Sequence, residues 1–185
     1  MENKELKNKI EAILFAAYEP VSASKISNVL NIKEKEVIRI INELNEEYKN
    51  NEKPYTIKEI GGGYLLLTLP EYGDVIGEVI GKKNIRLSKA ALVTLAIISY
   101  KQPISKKEID IIRGVDSSGP LETLIELELI KVVGEKDAPG RPLLYGTTKK
   151  FLEVFHLKDL KELPEIKDED IPISFTGGNN IKKEG

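Results

Sequence analysis

The chain has no cysteine, one histidine and no long apolar run, and each shortage removes a class of explanation. Without cysteine there can be neither a disulfide nor a thiolate metal site, which fits a reducing compartment, and the expected location is the cytoplasm. The single histidine, His156, follows Phe155 in an amphipathic stretch with no acid–nucleophile pattern nearby. It therefore reads as a histidine on a helix surface rather than a catalytic base. A metal would have to sit among oxygens. The best carboxylate cluster, Asp168-Glu169-Asp170, reads as a solvated charge run. No stretch approaches the ~18 consecutive apolar residues of a membrane span, and the Lys- and Glu-rich start is not a secretory signal. Gly61-Gly62-Gly63 lacks the Lys-Ser/Thr and the helix of a phosphate loop, so it reads as a hairpin turn. No enzyme activity, cofactor or metal is expected.

A basic excess is also missing. The net charge is −2, distributed as −4 over residues 1–80 (10 Lys/Arg against 14 Asp/Glu), +4 over residues 81–163 (15 against 11) and −2 over residues 164–185 (3 against 5). A dedicated nucleic-acid binder carries a stronger positive bias. Hydrophobic content of 41% with 31% charged residues is that of an ordinary globular protein. The length of 185 residues suits one domain or two small ones.

What is present is an internal repeat. Pro20-Val21-Ser22 recurs 83 residues later as Pro103-Ile104-Ser105. In the same ungapped register Ile26 falls on Ile109, Ile38 on Leu121, Ile41 on Leu124 and Leu44 on Leu127. Only the apolar skeleton repeats, as expected of two copies of one fold whose cores alone are constrained.

The second copy has the cleaner signals. Ser88 is an N-cap, and Lys89 to Tyr100 is apolar almost all round, so that helix should be surrounded by protein. Lys101-Gln102-Pro103 ends it. Ser105 and Glu108 form a capping box opening a short helix through Ile109, Ile111 and Ile112, and Gly114 suits the left-handed residue after it. Asp116, Ser117 and Ser118 offer caps for the next helix, with Leu121, Leu124, Ile125 and Leu127. Ile130–Val133 and Leu143–Tyr145 read as strands around a turn-rich loop from Gly134 to Pro142, and Phe151 to Leu160 as a terminal helical pair. In the first copy, helices are expected at Lys4–Ala17, Ser22–Leu30 and Ile32–Tyr48, the last with a capping box of Asn31 and Glu34. A hairpin of Tyr55–Ile60 and Tyr64–Leu69 follows.

Three helices and a two-stranded hairpin make a winged helix-turn-helix. The expected fold is α+β, mainly helical, with two tandem winged helix-turn-helix domains and short β-hairpin wings. The domains are residues 1–80 and 88–163, joined by a linker at 81–87 and followed by an acidic tail, 164–185, expected to be disordered. The linker carries Lys82, Lys83 and Arg86, which could touch phosphate but read as solvated. The tail segment Ile171–Phe175 is too short to form a core and could dock as an extended peptide.

Winged helices commonly read DNA through the third helix, with Arg, Lys, Asn or Gln on base edges and cations on phosphates. From Asp116 to Glu128 there is no basic residue, against Asp116, Glu122, Glu126 and Glu128. In the first copy Lys33, Lys35 and Arg39 are opposed by Glu34, Glu36, Glu43, Glu46 and Glu47. Direct nucleic-acid binding is therefore expected to be weak or absent, and a partner protein is the natural ligand. Tyr64-Leu65-Leu66-Leu67-Thr68-Leu69 puts bulky groups on both faces of a strand, where one wet face would give alternation. Leu65, Leu66 and Leu67 are thus candidate dimerisation residues, with either Leu65 and Leu67 or Leu66 on the outer face. The alternative is that the first helix with Val75, Ile76 and Val79 wraps both sides.

Gly114-Val115-Asp116-Ser117-Ser118-Gly119, Asp137-Ala138-Pro139-Gly140-Arg141-Pro142 and Leu144-Tyr145-Gly146-Thr147-Thr148 resemble the segregation and condensation protein B (ScpB) family. That family is the tandem winged-helix subunit of the bacterial SMC–kleisin condensin. Tyr100-Lys101-Gln102-Pro103-Ile104 resembles its helix-ending segment. The motifs are concentrated in residues 88–163, while residues 1–80 match in layout more than in identity. Pro120 departs from the small residue expected there, which the first turn of a helix tolerates. The resemblance implies a non-enzymatic homodimer, formed mainly through the first winged helix. It would bind the central region of the kleisin subunit (segregation and condensation protein A) and through it SMC, supporting chromosome condensation and segregation, associated with the nucleoid and not with a membrane. The two prolines around Gly140 should stiffen the second wing into a platform. This makes Asp137, Pro139, Arg141, Leu144 and Tyr145 the candidate partner-binding residues, unless the wing is only a structural turn in which Arg141 pairs with an internal carboxylate. The competing readings are a winged-helix DNA-binding transcriptional regulator and, more remotely, an enzyme acting on a small molecule.

Overall fold

The computed structural model describes residues 2–81 and 86–165. Lys82 and Lys83 of the linker, and the tail with Asp168-Glu169-Asp170 and Ile171–Phe175, lie outside the described residues. The chain divides into two compact units: residues 1–84 with 152–159, and residues 85–151 with 160–185. The segment Leu152–Asp159, expected in the second module, thus groups with the first.

In the first unit, α1 (Glu2–Ala16), α2 (Ala23–Leu30) and α3 (Glu34–Asn50) precede an antiparallel hairpin, β1 (Tyr55–Ile60) and β2 (Gly63–Thr68). A short 3-10 turn (Pro70–Tyr72) and α4 (Gly73–Ile80) follow. The core forms where α1, α2 and α3 present residues at helical spacing: Ile10 and Leu14, Ile26, then Val37, Ile40, Ile41, Leu44 and Tyr48. Ile57, Tyr55, Tyr64 and Leu66 close it from the hairpin.

The second unit repeats this plan. α5 (Lys89–Lys101), a two-residue strand β3 (Ile104–Ser105), α6 (Lys106–Arg113) and α7 (Ser118–Glu126) lead into β4 (Ile130–Glu135) and β5 (Leu143–Thr147). The sheet order is β3-β5-β4. β3 pairs Ile104 with Tyr145, and in the first unit Val21 makes the matching bridge to Tyr64. α8 (Lys149–Val154), whose last three residues group with the first unit, and a 3-10 turn (Leu160–Glu162) are the last elements among the described residues, shorter than the helical pair expected. His156 is accordingly not on a helix; it adopts a left-handed turn conformation (φ 53°) beyond α8.

Most helix starts follow the expected chemistry. Ser22 accepts from the Lys25 amide, Ser88 from the Ala91 amide, and Ser105 with Glu108 forms a complete capping box. Asn31 does not cap α3 with Glu34, as the sequence suggested. It terminates α2 in the left-handed conformation (φ 53°), as Gly114 (φ 73°) terminates α6. α3 starts instead on Lys33 without a side-chain cap, and Glu34 and Glu36 in its first turn complement the helix dipole. Gly63 belongs to β2 rather than to the turn, and a Cβ there would come within 2.8 Å of the Pro20 carbonyl carbon. Pro120 occupies the first turn of α7, where its missing N–H has no intrahelical acceptor to lose.

The ungapped 83-residue register breaks at the helix-turn-helix bend. Ser22 and Ser105 start equivalent helices, and Asn31 and Gly114 end them, each pair 83 apart. The next N-caps, Lys33 and Ser117, are 84 apart, because the second bend is one residue longer. Ile38 is consequently 38% exposed, whereas Leu121 is 3% exposed. The packing equivalents are Val37 with Leu121 and Ile40 with Leu124, all buried.

One side chain ties the hairpin of the first unit to its helices. Asn45 on α3 accepts from the Ile57 amide (2.8 Å) and from the Thr56 hydroxyl (3.1 Å), and donates to the Ile57 carbonyl (2.9 Å). Those two backbone groups point away from β2, so the amide supplies what a neighbouring strand would. Removing it strands them beside a core residue, at a cost of about 1–3 kcal/mol. Asn45→Ala should therefore lower the unfolding free energy by about 2 kcal/mol in urea melts, and an unchanged midpoint would show that the hairpin does not depend on it.

Candidate partner-binding surfaces

The second unit fixes its hairpin by a different amide. Gln102, just past α5, accepts from the Thr147 amide on β5 (2.8 Å) and donates to the Ser99 carbonyl (3.2 Å) and the Thr147 hydroxyl (3.0 Å). The wing then projects from this anchored sheet. Its tip is closed by Lys136 N–H to the Pro142 carbonyl and Arg141 N–H to the Ala138 carbonyl, both 2.9 Å, with Gly140 and Arg141 at positive φ. Gly134 and Glu135, expected in the loop, continue β4 with an irregularity between Val132 and Gly134.

Asp137, Pro139 and Arg141 are exposed at the tip, and Leu144 and Tyr145 are half-buried in β5. Arg141 pairs with Glu135 across the wing (3.0 Å) at an exposed position, the contact with a carboxylate of the same chain that a structural turn would make. Leu144 and Tyr145 are successive strand residues and point to opposite faces, so one flat partner surface cannot use both. In register, Tyr145 faces Val132, and Leu143 lies two residues away on the same side. Val132 and Leu143 are both exposed, giving an apolar strip of Val132, Leu143 and Tyr145. Val132 and Leu143 were missed because only the pairing register reveals that they flank Tyr145.

The helix-turn-helix surface is held by its own ion pairs. Glu108 accepts from the Ser105 amide (3.0 Å), the Ser105 hydroxyl (2.5 Å) and Lys136 (2.6 Å), binding α6 to the wing. These contacts, Lys136 foremost, lower its pKa to about 2. Lys106 bridges Asp110 (2.7 Å) and Asp116 (2.5 Å), and Asp116 also accepts from the Ser118 amide, which opens α7. On α7, Glu122 and Glu126 face solvent, and Glu128 just beyond it pairs with Lys150 (2.9 Å). In the first unit Arg39 pairs with Glu43 and Glu36, and Lys7 pairs with Glu43 and Glu47. A polyphosphate approaching either third helix meets carboxylates, and Arg39 is already neutralised.

On the first unit the three leucines are not a bare surface. Leu65, Leu66 and Leu67 are each half-buried. Leu66 shares its face with Ile57 and packs on the core, leaving Leu65 and Leu67 beside Lys58 and Thr56 on the other face. Of the alternative cover, α1 does contact β2, whereas on α4 Val75 and Val79 are exposed and Ile76 is half-buried. Along the hairpin edge, the Gly61 amide donates to the Leu157 carbonyl (3.0 Å) and Lys158 pairs with Glu59 (2.8 Å). His156 lies in this segment, its pKa lowered by partial burial and by nearby Lys58. Among the described residues, no group of three or more His, Asp or Glu could hold a metal, and no helix is long and apolar enough to cross a membrane.

Glu108 has a depressed folded-state pKa, so its contribution is complete above the ordinary value of 4.5 and is lost as pH falls towards about 2. Its side chain is 41% exposed, which limits the effect to about 1 kcal/mol. Glu108→Gln should be less stable than the parent at neutral pH and indistinguishable from it near pH 2. A difference that persists in acid would place the contribution in packing rather than in charge.

The model of the segregation and condensation complex subunit ScpB matches residues 8–166. The segregation and condensation protein B of Moorella thermoacetica is 45% identical over 163 residues, 88% of this chain and 84% of that protein. That of Syntrophotalea carbinolica is 42% identical over 168 residues, 91% of this chain and 85% of that one. A solved dimer of an ScpB N-terminal domain complexed with an ScpA peptide is 32% identical, covering 43% of this chain and 99% of that chain, with a TM-score of 0.40. With the family model spanning both winged-helix units, the chain belongs to the ScpB family of segregation and condensation complex subunits.

Proposed function

We propose that the chain is a non-enzymatic accessory subunit of the bacterial SMC–kleisin condensin. In this reading it acts as a homodimer, joined through its first unit, that binds the central region of the kleisin and so supports chromosome condensation and segregation. It would work in the cytoplasm and reach the nucleoid through the complex. The observation that carries this reading beyond family membership is the α7 surface. The helix that would enter a DNA groove exposes Glu122 and Glu126 and has no cation along its length, so the fold is free to bind polypeptide but poorly suited to duplex.

The second wing is the platform for that partner. Its tip is locked by backbone hydrogen bonds and by the Lys136–Glu108 pair, so little ordering entropy would be lost on binding. Asp137, Pro139 and Arg141 would supply a polar rim and Tyr145 an aromatic anchor, with Val132 and Leu143 beside it. Leu144 points to the opposite face of the strand and would support the wing instead of touching the partner.

The test is co-purification with a kleisin central segment. Leu143→Asp combined with Tyr145→Ser should weaken capture by at least ~30-fold, the signature of a lost hot spot. Arg141→Ala should change it only a few-fold, as befits an exposed rim charge. Full retention by the double variant would remove the wing from the interface. Tight duplex binding at physiological salt without kleisin capture would favour the regulator reading.

A further inference from the structure

The composition of α5 calls for cover on every side, and the second unit supplies it on all sides but one. Ala91, Thr94, Leu95, Ile97 and Ile98 are buried. Leu92, Ala96 and Tyr100 follow at four-residue spacing on one face and are exposed, Leu92 to 51% and Tyr100 to 38%. Val93 beside them is half-buried, and between Lys89 and Lys101 the helix carries no charged residue. One end of this apolar stripe touches the chain's own continuation: the Tyr100 hydroxyl donates to the Pro164 carbonyl (2.8 Å). An open cleft lies there, with Ser99, Tyr100 and Gln102 on one side and Leu160, Leu163 and Pro164 on the other. Glu165 is the last described residue at this end.

We propose that Ile171-Pro172-Ile173-Ser174-Phe175 docks in extended form along the α5 stripe of the same chain, Ile171 toward Tyr100 and Phe175 toward Leu92. The leash suffices, because residues 166–170 reach up to ~17 Å when extended and begin beside Tyr100. The lengths agree: Leu92 to Tyr100 spans ~12 Å of helix, and residues 171–175 span ~13 Å of extended chain. So do the intervals. Extended backbone puts Ile171, Ile173 and Phe175 on one side every ~6.6 Å, against ~6 Å between Leu92, Ala96 and Tyr100. Ala96, the smallest of the three, leaves a dip for Ile173. Pro172 fixes its own φ and biases Ile171 to extended backbone, so less freedom is lost on docking. Asp168-Glu169-Asp170 meet no cation along the stripe but have Lys101 at the end where the chain arrives, which sets the direction. Area favours a tethered occupant over a separate one. One face of three helical turns falls far short of the ~800 Å² that each partner of a stable complex buries. A segment on a five-residue leash acts at an effective concentration on the order of millimolar, where a weak contact is enough.

The absence of cysteine makes the test direct. In the full chain, Ala96→Cys with Ile173→Cys should close a disulfide within one molecule at least ~5-fold faster than Ala96→Cys with Ser174→Cys. The two tail positions have nearly the same leash, but in a docked extended segment Ser174 points away from the helix. Chymotryptic cleavage after Phe175, followed by mass spectrometry, gives a second reading. Leu92→Lys should speed that cleavage at least ~5-fold, because the cut tracks the undocked population. Ile171→Ser with Ile173→Ser should do the same, with rates normalised to those of free peptides of residues 166–185, and it leaves the winged helix untouched. Equal disulfide rates together with unchanged cleavage would overturn the proposal. A disulfide formed mainly between two molecules would overturn it as well, because the stripe would then be covered by another copy.

Discussion

Each unit depends on a side-chain amide that fastens a strand to a helix. A module of three short helices and one hairpin has little apolar area to spare, and a two-stranded ribbon is not stable without packing. Asn45 meets this need in the first unit by satisfying both backbone groups of Ile57, and Gln102 meets it in the second through Thr147. The two amides sit at unrelated positions, one within the third helix and one after the first. A shared fold therefore leaves a repeat of apolar residues and no repeat of the polar ones that complete it. The close approaches around these points are equally individual: Gly146 would bring a Cβ within 2.9 Å of the Gln102 amide oxygen, as Gly63 would with Pro20.

The elements whose causes are local were legible in the sequence. Ser22, Ser88 and Ser105 start helices because a hydroxyl or carboxylate reaches an orphan amide within one turn, and Gly114 ends one because no Cβ opposes positive φ. The two hairpins and the winged helix-turn-helix order follow from the same short-range rules. Asn31 was misread because asparagine serves both as an N-cap and as a left-handed terminator, and only the backbone decides between them. The one-residue difference between the two bends was hidden for a related reason. Val37 and Ile38 are both apolar, so either register looks hydrophobic until burial separates them.

What was not legible is long-range. Nothing between Leu152 and Asp159 marks that segment for the first unit; its ties are a backbone bond to Gly61 and an ion pair to Glu59, made 96 and 99 residues away in sequence from Leu157 and Lys158. The candidate wing surface was only half readable. The tip residues Asp137, Pro139 and Arg141 announce themselves by composition, but whether Leu144 or Tyr145 faces a partner depends on the pairing of β5 with β4 and β3.

The charge pattern bears on the choice between nucleic acid and polypeptide as a ligand for such a fold. Converting a helix-turn-helix from phosphate to polypeptide requires more than losing cations from α7, because cations elsewhere on the surface could still draw nucleic acid in. In this chain several of those nearest the helices are engaged internally. Arg39 is held by Glu36 and Glu43, Lys106 by Asp110 and Asp116, and Lys136 by Glu108. Each pair is worth little to stability at an exposed position. Their consequence is electrostatic: each engages a cation that would otherwise be available to a phosphate. A stiff, neutralised wing with an apolar strip of Val132, Leu143 and Tyr145 is a surface that gains from excluding water, and a polyanion has nothing apolar to offer it.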